Sequence, residues 1–463
     1  MRTIMSKRLP HMYYTLLEQA GWLAENLGFK VYAVGGFVRD ILLNRPNRDL
    51  DLVVEGDGIL FARVLAHKLS GQLRVHRKFK TAVVFFNDST TGHLKRVDVA
   101  TARLEYYEYP AALPIVEPSS IKIDLYRRDF TINALAMHLN PGQLGRIVDF
   151  FDAQRDIKDH RIRVLHPLSF EEDPTRILRA VRFEQRFGFY INQQTERLIK
   201  NTLQLDPIQK LSGTRVLREL KFVLEEKKPL ACLHRLQQLH VLESIHPALS
   251  FTPIQKVMLN KVERTLHWYR LLSLEPPLRT WLVYLLGLTR GTSGNELSRI
   301  ASLFHLSFKS RYEFLGIHAT IDTLEDKLSW WIRSNASHAE LYEMLQPIAV
   351  EGVLLLMAQT KNEAVRKAIY HYLTQLKDLR NEITGDDLLK LGVPPGPMVG
   401  KLLRHIFTVR LNGLAPTLSV QQSVAQKLVH ELDLEDTLHL VRCRLRPEKF
   451  GLTVYPGKYQ CSP

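Results

Sequence analysis

Asp49 and Asp51, separated by Leu50, are the residues of this 463-residue sequence whose spacing most plainly suits chemistry. In a strand over residues 47–54, side chains alternate faces, so both carboxylates point one way and Leu50 points into a core. Two adjacent carboxylates repel unless cations sit between them. Mg²⁺ takes hard oxygen ligands, usually one or two carboxylates completed by substrate phosphates, so the pair fits a two-metal site for phosphoryl or nucleotidyl transfer. Upstream, Gly35-Gly36 lets the apolar run 31–34 turn sharply into a helix beginning near Phe37. The free N–H groups of such a turn, with Arg39 beside them, suit a triphosphate, and Asp40 is expected to order the turn. An isolated Asp-x-Asp is more often a solvated face, and an isolated Gly-Gly a plain turn. Their succession behind an apolar run favours the metal and nucleotide reading. No G-x-G-x-x-G occurs there, which excludes the dinucleotide fingerprint.

Further clusters offer donors and acceptors. In Arg127-Arg128-Asp129 a carboxylate is placed to accept a ribose hydroxyl proton while guanidinium groups pair with phosphates. As a bare cluster it reads equally as a solvated ion network. Asp173 and Arg176, behind Glu172, are neighbours at i and i+3 if helical, an acceptor beside a fork of donors. That pair matches the amino group and ring nitrogen of cytosine or adenine, and guanine and uracil present the opposite pattern. The plain alternative is a helix salt bridge. Arg179 is one further i+3 step towards the same ligand, whereas Arg182 is expected to brace the fold. Asp98, in a strand over 96–100, either joins Asp49 and Asp51 or pairs with Arg96 or Arg103. Gly396-Pro-x-x-Gly400 opens a helix and sets Lys401, Arg404 and His405 where an RNA phosphate would sit, unless it is only a helix start with proline in its first turn.

These residues need a frame. Residues 1–28 hold an amphipathic helix with Tyr14, Leu16, Leu17, Ala20, Trp22 and Leu23 apolar, stopped by Gly28. A helix over 58–69 and strands over 81–86 and 96–100 alternate, which predicts an α/β head. Residues 104–125, with three prolines, predict a mobile loop, and residues 127–136 predict a helical stretch. From residue 214 the pattern is helical, strongly at 339–357 and 364–379.

GGFVRD with DLD, then RRDFTINALA at 127–136, then EEDPTRILRAVRF at 171–183 resemble, in order, the successive motifs of class II tRNA nucleotidyltransferases and bacterial poly(A) polymerases. The resemblance covers the first half closely and the second half loosely. It implies an α/β nucleotidyltransferase (polymerase-β-like) head with a mixed sheet, followed by an all-α body and tail. The expected division is a head over 1–155, a nucleotide-recognition neck over 156–225, a body over 226–380 and a tRNA-binding tail over 381–463. The implied reaction adds all or part of the 3′-terminal CCA of tRNA from CTP or ATP, with Mg²⁺ and release of pyrophosphate. Under the resemblance Asp49 and Asp51 hold metal and Asp98 lies near the attacking hydroxyl. Gly35, Gly36, Arg39 and Arg128 hold the triphosphate, and Asp129 with Asn133 selects ribose. Glu172, Asp173 and Arg176 belong to the base-reading EDxxR motif, through which the protein acts as its own template, and Arg179 reaches the same nucleotide. Gly396, Gly400, Lys401 and Arg404 contact tRNA. Members that add only part of CCA differ at the segment 104–125, whose wording here is closer to members adding a terminal A; a partial adder implies a second nucleotidyltransferase as partner. The rivals are a poly(A) polymerase on the same head and an inactive RNA-binding scaffold, against which the three intact motif sets stand.

The chain is too long for one ordinary core, so two or more domains are expected. Its charge of +15, from 63 basic and 48 acidic residues, fits a polyanionic partner, either a membrane surface or, with these motifs, nucleic acid. No secretory leader pattern occurs, and the strongest apolar run, 281–288, is too short to span a bilayer. The expectation is a cytoplasmic protein with Cys232, Cys443 and Cys461 reduced, since they have neither zinc spacing nor the number for a disulfide framework.

Overall fold

The computed structural model describes residues 5, 7–47, 49–88, 92–106, 115–205, 208, 211–273 and 278–430. They fall into two compact units, Met1–Ala319 and Thr320 onward.

The first unit opens with strands β1 (Lys30–Val34), β2 (Leu50–Glu55), β3 (Gln72–His76), β4 (Thr81–Asn87), β5 (Leu94–Thr101), β6 (Arg103–Tyr106), β7 (Ile115–Pro118), β8 (Leu135–His138) and β9 (Ile147–Asp149). Seven of them form one mixed sheet in the order β3-β4-β5-β2-β1-β8-β9, in which only β2 and β5 run parallel. Central β1 is buried from Val31 to Val34, which is why it reads as an unbroken apolar run rather than an alternation. Helices α1 (His11–Asn26), α2 (Gly36–Leu42), α3 (Gly58–Lys68) and α4 (Ile121–Tyr126) surround the sheet. The first and third pack together against it. Asp57 caps α3 by accepting from the N–H groups of Ile59 and Leu60. Ile121 and Leu125 of α4 cover the face that carries Tyr32, Val34, Val53, Ala134 and Ala136. By alternation along β2, Asp51 shares that face with Val53.

Several local expectations are corrected. Helix α1 buries Leu16, Leu17, Ala20 and Leu23, but Trp22 is 59% exposed. The second strand begins at Leu50 rather than at residue 47, because Asn47 turns its side chain onto Asp40 and onto the N–H of Asp49. The segment 104–125 is not a loop throughout: β6 and β7 pair as an antiparallel ribbon and α4 follows, with 107–114 outside the described residues. The helical stretch expected over 127–136 is absent. Helix α4 stops at Tyr126, a single 3₁₀ turn spans Thr131–Asn133, and Leu135 opens β8. Leu, Ala and Met are good helix formers, but here they pair with β1 in the register Tyr32↔His138, Ala33↔Met137 and Val34↔Ala136. That tertiary ladder outweighs propensity.

Beyond the sheet the unit is helical apart from a short parallel pair, Arg161–Ile162 with Tyr190–Ile191: α5 (Ala153–Lys158), α6 (Ser169–Glu172), α7 (Thr175–Phe187), α8 (Gln193–Leu203), α9 (Gly213–Leu224) and α10 (Pro229–Gln238), then Val241–Ile245, Pro253–Leu271, Thr280–Leu288 and Gly294–Leu303. Helix α7 packs on α9 and α10. The apolar run 281–288 is a buried core helix.

In the second unit the stretch 339–357 is two helices, His338–Leu345 and Val350–Gln359, bent by 109° at a break that contains Pro347, whose ring cannot continue a helix. Helix Glu363–His371 runs on into a π turn, Tyr372–Leu376. Helix Pro397–Leu411 packs Leu402 and Ile406 on Ile383, Leu388 and Val393. Among the described residues no single helix is long and apolar enough to cross a membrane. The basic C-terminal segment, with Cys443 and Cys461, lies outside the described residues. Cys232 is a free, buried thiol, pushed up to about 12 chiefly by burial.

Candidate active site

The turn from β1 into α2 is made at Gly35, whose φ of 68° lies in the left-handed region. A Cβ there would stand 2.6 Å from Arg128 Nη1, so the glycine also admits that guanidinium. Arg39, one turn into α2, is 5% exposed. It donates through Nε (2.8 Å) and Nη2 (3.0 Å) to Asp40 and through Nη1 to Asn133, and it lies over the Phe187 ring at 4.4 Å. Asp40 orders the turn as expected, accepting from Arg39 and from Asn47 at 2.7 Å.

Beside this turn the sheet presents its carboxylates. The parallel pairing of β2 with β5 sets Asp51 opposite Asp98, so the third carboxylate does stand on the neighbouring strand. Its alternative partner is also present, Arg96 at 3.2 Å. Asp51 touches solvent but is crowded by protein. That burial, together with Asp98 and Asp49, pushes its carboxyl up to about 6 against the pull of Arg128. Asp98 is raised as well, by burial and by Asp49. Accumulated negative charge of this kind favours a cation between the carboxylates. Among the described residues no group of three or more His, Cys, Asp or Glu side chains forms a closed metal cage. Two carboxylates on an open wall suit a hard cation whose remaining ligands are phosphates and water.

The Arg-Arg-Asp cluster lies between α4 and the 3₁₀ turn. Arg127 (2.7 Å) and Arg128 (3.2 Å) both donate to Asp124, which is fully buried and held below the usual carboxylate range by them. Asp129 is buried. Its Oδ1 accepts from the N–H of Phe130 (2.8 Å) and from Asn133 (2.9 Å), and its Oδ2 accepts from Arg179 Nε (2.9 Å) and Nη2 (2.6 Å). Burial opposes ionisation of Asp129, but Arg179 and these hydrogen bonds overcome it and hold the carboxyl at about 2. A ribose hydroxyl reaching Asp129 would have to share an oxygen that already accepts two hydrogen bonds.

The EDxxR segment departs from the expected helix pair. Asp173 ends α6 with an extended backbone, Pro174 follows, and α7 begins at Thr175. Pro174 excludes α geometry for Asp173. Its Oδ1 instead accepts from the N–H and hydroxyl of Thr175 and from Arg215 Nη2 at 2.9 Å. Arg176 is anchored separately, to Ser169 Oγ (2.7 Å) and the Arg127 carbonyl (2.9 Å), with Glu172 at 3.7 Å. Glu172 also faces His166 at 3.4 Å, an imidazole that burial and Arg176 hold down to about 4.

One cavity of about 700 Å³ collects these groups: Gly36, Arg39, Asp49, Asp51, Arg128, Asp129, Asn133, Asp173, Arg176 and Arg179 all line it. Gly35 stands behind Arg128, Glu172 behind Arg176, and Asp98 on the adjacent strand. The cavity also takes Arg127 of the Arg-Arg-Asp cluster, and Arg182, Arg186, Arg218 and Glu219, which the motifs did not single out as ligand contacts. Arg182, expected as a brace, is one and also lines the wall: it pairs with Glu219 at 3.4 Å. Its Nε, Glu219 Oε2 and Arg128 Nε are buried without a hydrogen-bond partner among the described residues. Glu219 was detectable as a carboxylate on the apolar face of α9 between Val216, Leu220 and Val223. The tail set lies in the second unit: Gly396, with φ 144°, caps helix Pro397–Leu411, and Lys401, Arg404 and His405 are exposed on it. Gly400 lies inside that helix, and its carbonyl accepts from Arg404 Nε at 3.2 Å.

Comparison with known proteins agrees with this geometry. Residues 31–163 match the poly A polymerase head domain, and residues 188–252 match the probable RNA and SrmB-binding site of polymerase A. The chain is 41% identical, over 92% of its length, to an A-adding tRNA nucleotidyltransferase of Geobacter sulfurreducens, but spans only 48% of that longer protein. It is 32% identical to an A-adding tRNA nucleotidyltransferase of Halalkalibacterium halodurans, covering 86% of this chain and 89% of that one. Among solved structures, the Thermotoga maritima CCA-adding enzyme complexed with tRNA superposes with a TM-score of 0.66 at 32% identity, covering 92% of this chain and 98% of that one. With the mixed-sheet head, the carboxylate wall and near full-length relatives at this identity, the chain belongs to the family of A-adding and CCA-adding tRNA nucleotidyltransferases.

Proposed function

We propose that this protein joins AMP from ATP to the 3′ end of a tRNA that already ends in CC, completing CCA. The observation that supports this reading is the cavity in which the Asp49 and Asp51 carboxylates share a wall with the arginines and with Asp173 and Arg176. The choice of the terminal A rests on the relatives that bear that name. In the reaction the 3′ oxygen of tRNA forms a bond to the α-phosphorus of ATP, the bond to the β-phosphate oxygen breaks, and pyrophosphate leaves. The family requires a divalent metal, and Asp49 and Asp51 are the residues suited to hold Mg²⁺. When bound there it would lower the pKa of the attacking hydroxyl and offset charge on the departing pyrophosphate.

The chain's own groups bind and orient. Gly36, Arg39 and Arg128 face the triphosphate, and Asp129 with Asn133 faces the ribose. Arg176, fixed by Ser169 and the Arg127 carbonyl, donates to the adenine ring nitrogen, while Asp173, fixed by Arg215 and Thr175, accepts from the amino group. Guanine and uracil present the reversed pattern. The tail helix, through Lys401 and Arg404, adds phosphate contacts that hold tRNA by shape and charge.

Three tRNA transcripts, ending at the discriminator base, at C and at CC, each incubated with ATP, CTP or both, test the proposal on a sequencing gel. Extension only of the CC-ended transcript, by one residue with ATP, is the expected result. Extension of all three to CCA would replace it with a full adder, long adenylate ladders with a poly(A) polymerase, and silence in every lane with an inactive scaffold.

A further inference from the structure

We propose that Asn47 is a positioning residue that ties the backbone of Asp49 to the buried Arg39–Asp40 pair and so sets where the Asp49 carboxylate stands towards a divalent cation. The inference rests on the reading of Asp49 and Asp51 as the cation's ligands.

The two carboxylates are held by different means. Asp51 lies within β2, where the parallel pairing with β5 fixes its backbone. Asp49 lies one residue before that strand, exposed and outside the ladder. Its N–H donates instead to Asn47 Oδ1 at 2.8 Å, and Asn47 Nδ2 donates to Asp40 Oδ2 at 2.7 Å. Asp40 is 8% exposed and gripped by two donors of Arg39, and Arg39 in turn is clamped between the Phe187 ring and Asn133. Asn133 donates to Asp129. Asp49 is therefore the outer end of a continuous hydrogen-bonded chain whose inner end is the buried centre of the cavity. The chemistry at position 47 is specific: the side chain must accept on one side and donate to a carboxylate on the other, which an amide does and neither a carboxylate nor a methyl group can. A ligand displaced by a fraction of an ångström binds metal less well, and supporting residues around metal sites commonly contribute roughly 10- to 100-fold in affinity.

The test uses the full chain and reads Mn²⁺ binding by electron paramagnetic resonance, with and without ATP, for the wild type, Asn47→Ala, Asn47→Asp and Asp49→Ala. The same proteins are then titrated with Mg²⁺ during AMP addition and melted. The expected result for Asn47→Ala is Mn²⁺ binding weakened about 10-fold and a matching rise in the Mg²⁺ needed for half-maximal rate. At saturating Mg²⁺ the rate recovers, while the KM for ATP and the melting temperature stay near the wild type. Asn47→Asp, which keeps the acceptor for the Asp49 N–H but sets a carboxylate against Asp40, should be at least as impaired. If Asp49→Ala loses Mn²⁺ while both Asn47 variants bind it as the wild type does, the positioning role is overturned and the ligand reading stands. If Asp49→Ala binds Mn²⁺ like the wild type, the ligand reading itself falls and this inference with it.

Discussion

Asp129 shows how much of the cavity is held by single residues. It is buried yet charged, because Arg179, Asn133 and the Phe130 N–H supply hydrogen bonds to its carboxylate in place of water. Its folded carboxyl sits at about 2, below the value of an unfolded chain near 3.9. The stability it contributes is therefore fully present above about pH 4 and is lost as pH falls from there towards 2. An Asp129→Asn variant should show a shallower fall in melting temperature between pH 5 and pH 3 than the wild type; equal slopes would mean the carboxylate is not so held. Removing its partner should cost more than removing a surface charge: Arg179→Ala leaves a buried carboxylate exposed to no cation and should destabilise by about 3 kcal/mol in urea unfolding. Function divides along the same lines. Asp51→Ala should lower AMP transfer about 1000-fold or more, since Asp49 alone does not supply the paired carboxylates a two-metal site requires, and retained turnover would refute its role. Asp173→Ala should relax the choice between ATP and GTP more than it raises the KM for ATP; unchanged selectivity would remove Asp173 from base reading.

At the scale of elements, two glycines separate chemistry from packing. Gly35 turns β1 into α2 with a left-handed backbone and leaves room for Arg128, so Gly35→Ala should both strain the turn and push the guanidinium away. The expected outcome is a rise in KM for ATP of about 10-fold or more with a modest loss of stability, of order 1–2 kcal/mol. Gly213 opens α9 where a Cβ would lie 1.5 Å from the Leu303 carbonyl oxygen. Gly213→Ala should therefore lower the melting temperature by several degrees, and, because α9 carries Glu219 to the cavity, any loss of activity should follow the loss of folded protein. Thermal melts set beside nucleotide titrations distinguish the two. Register matters in the same way: the parallel step from β2 to β5 sets Asp51 beside Asp98, and a slip by one residue would turn Asp51 to the opposite face.

For the whole molecule, the charge of +15 on 463 residues is the term that acts at a distance. Neutralised RNA phosphates release counterions, so affinity for tRNA should fall steeply and log-linearly with salt. Lys401 and Arg404 are exposed on the tail helix. The double variant Lys401→Ala/Arg404→Ala should weaken tRNA binding at every salt concentration and reduce the salt slope by about 1.5–2, one unit or slightly less for each phosphate left without its cation. Its KM for ATP should not move. An unchanged slope in a filter-binding titration would remove these residues from the RNA surface.

The order of the motifs, the α/β head with its helical remainder, and most residues of the cavity were legible along the chain. Those features depend on local information: a Gly-Gly behind an apolar run, a period of two around Asp49 and Asp51, and helical periodicity from residue 214 onward. Tertiary structure decided the rest, because it depends on partners distant in the chain. Residues 135–138 became a strand only because β1 offered an unpaired edge, against their helical propensity. Asp173 and Arg176 did not pair with each other, since Pro174 broke the helix between them and Arg215, Ser169 and the Arg127 carbonyl supplied other partners. Glu219 and Arg218 entered the cavity wall because α9 packs on α7. Asn47 read as the start of a strand, and its side chain instead closed the distance between Asp40 and Asp49, an arrangement set by how the turn folds back rather than by any pattern along the chain.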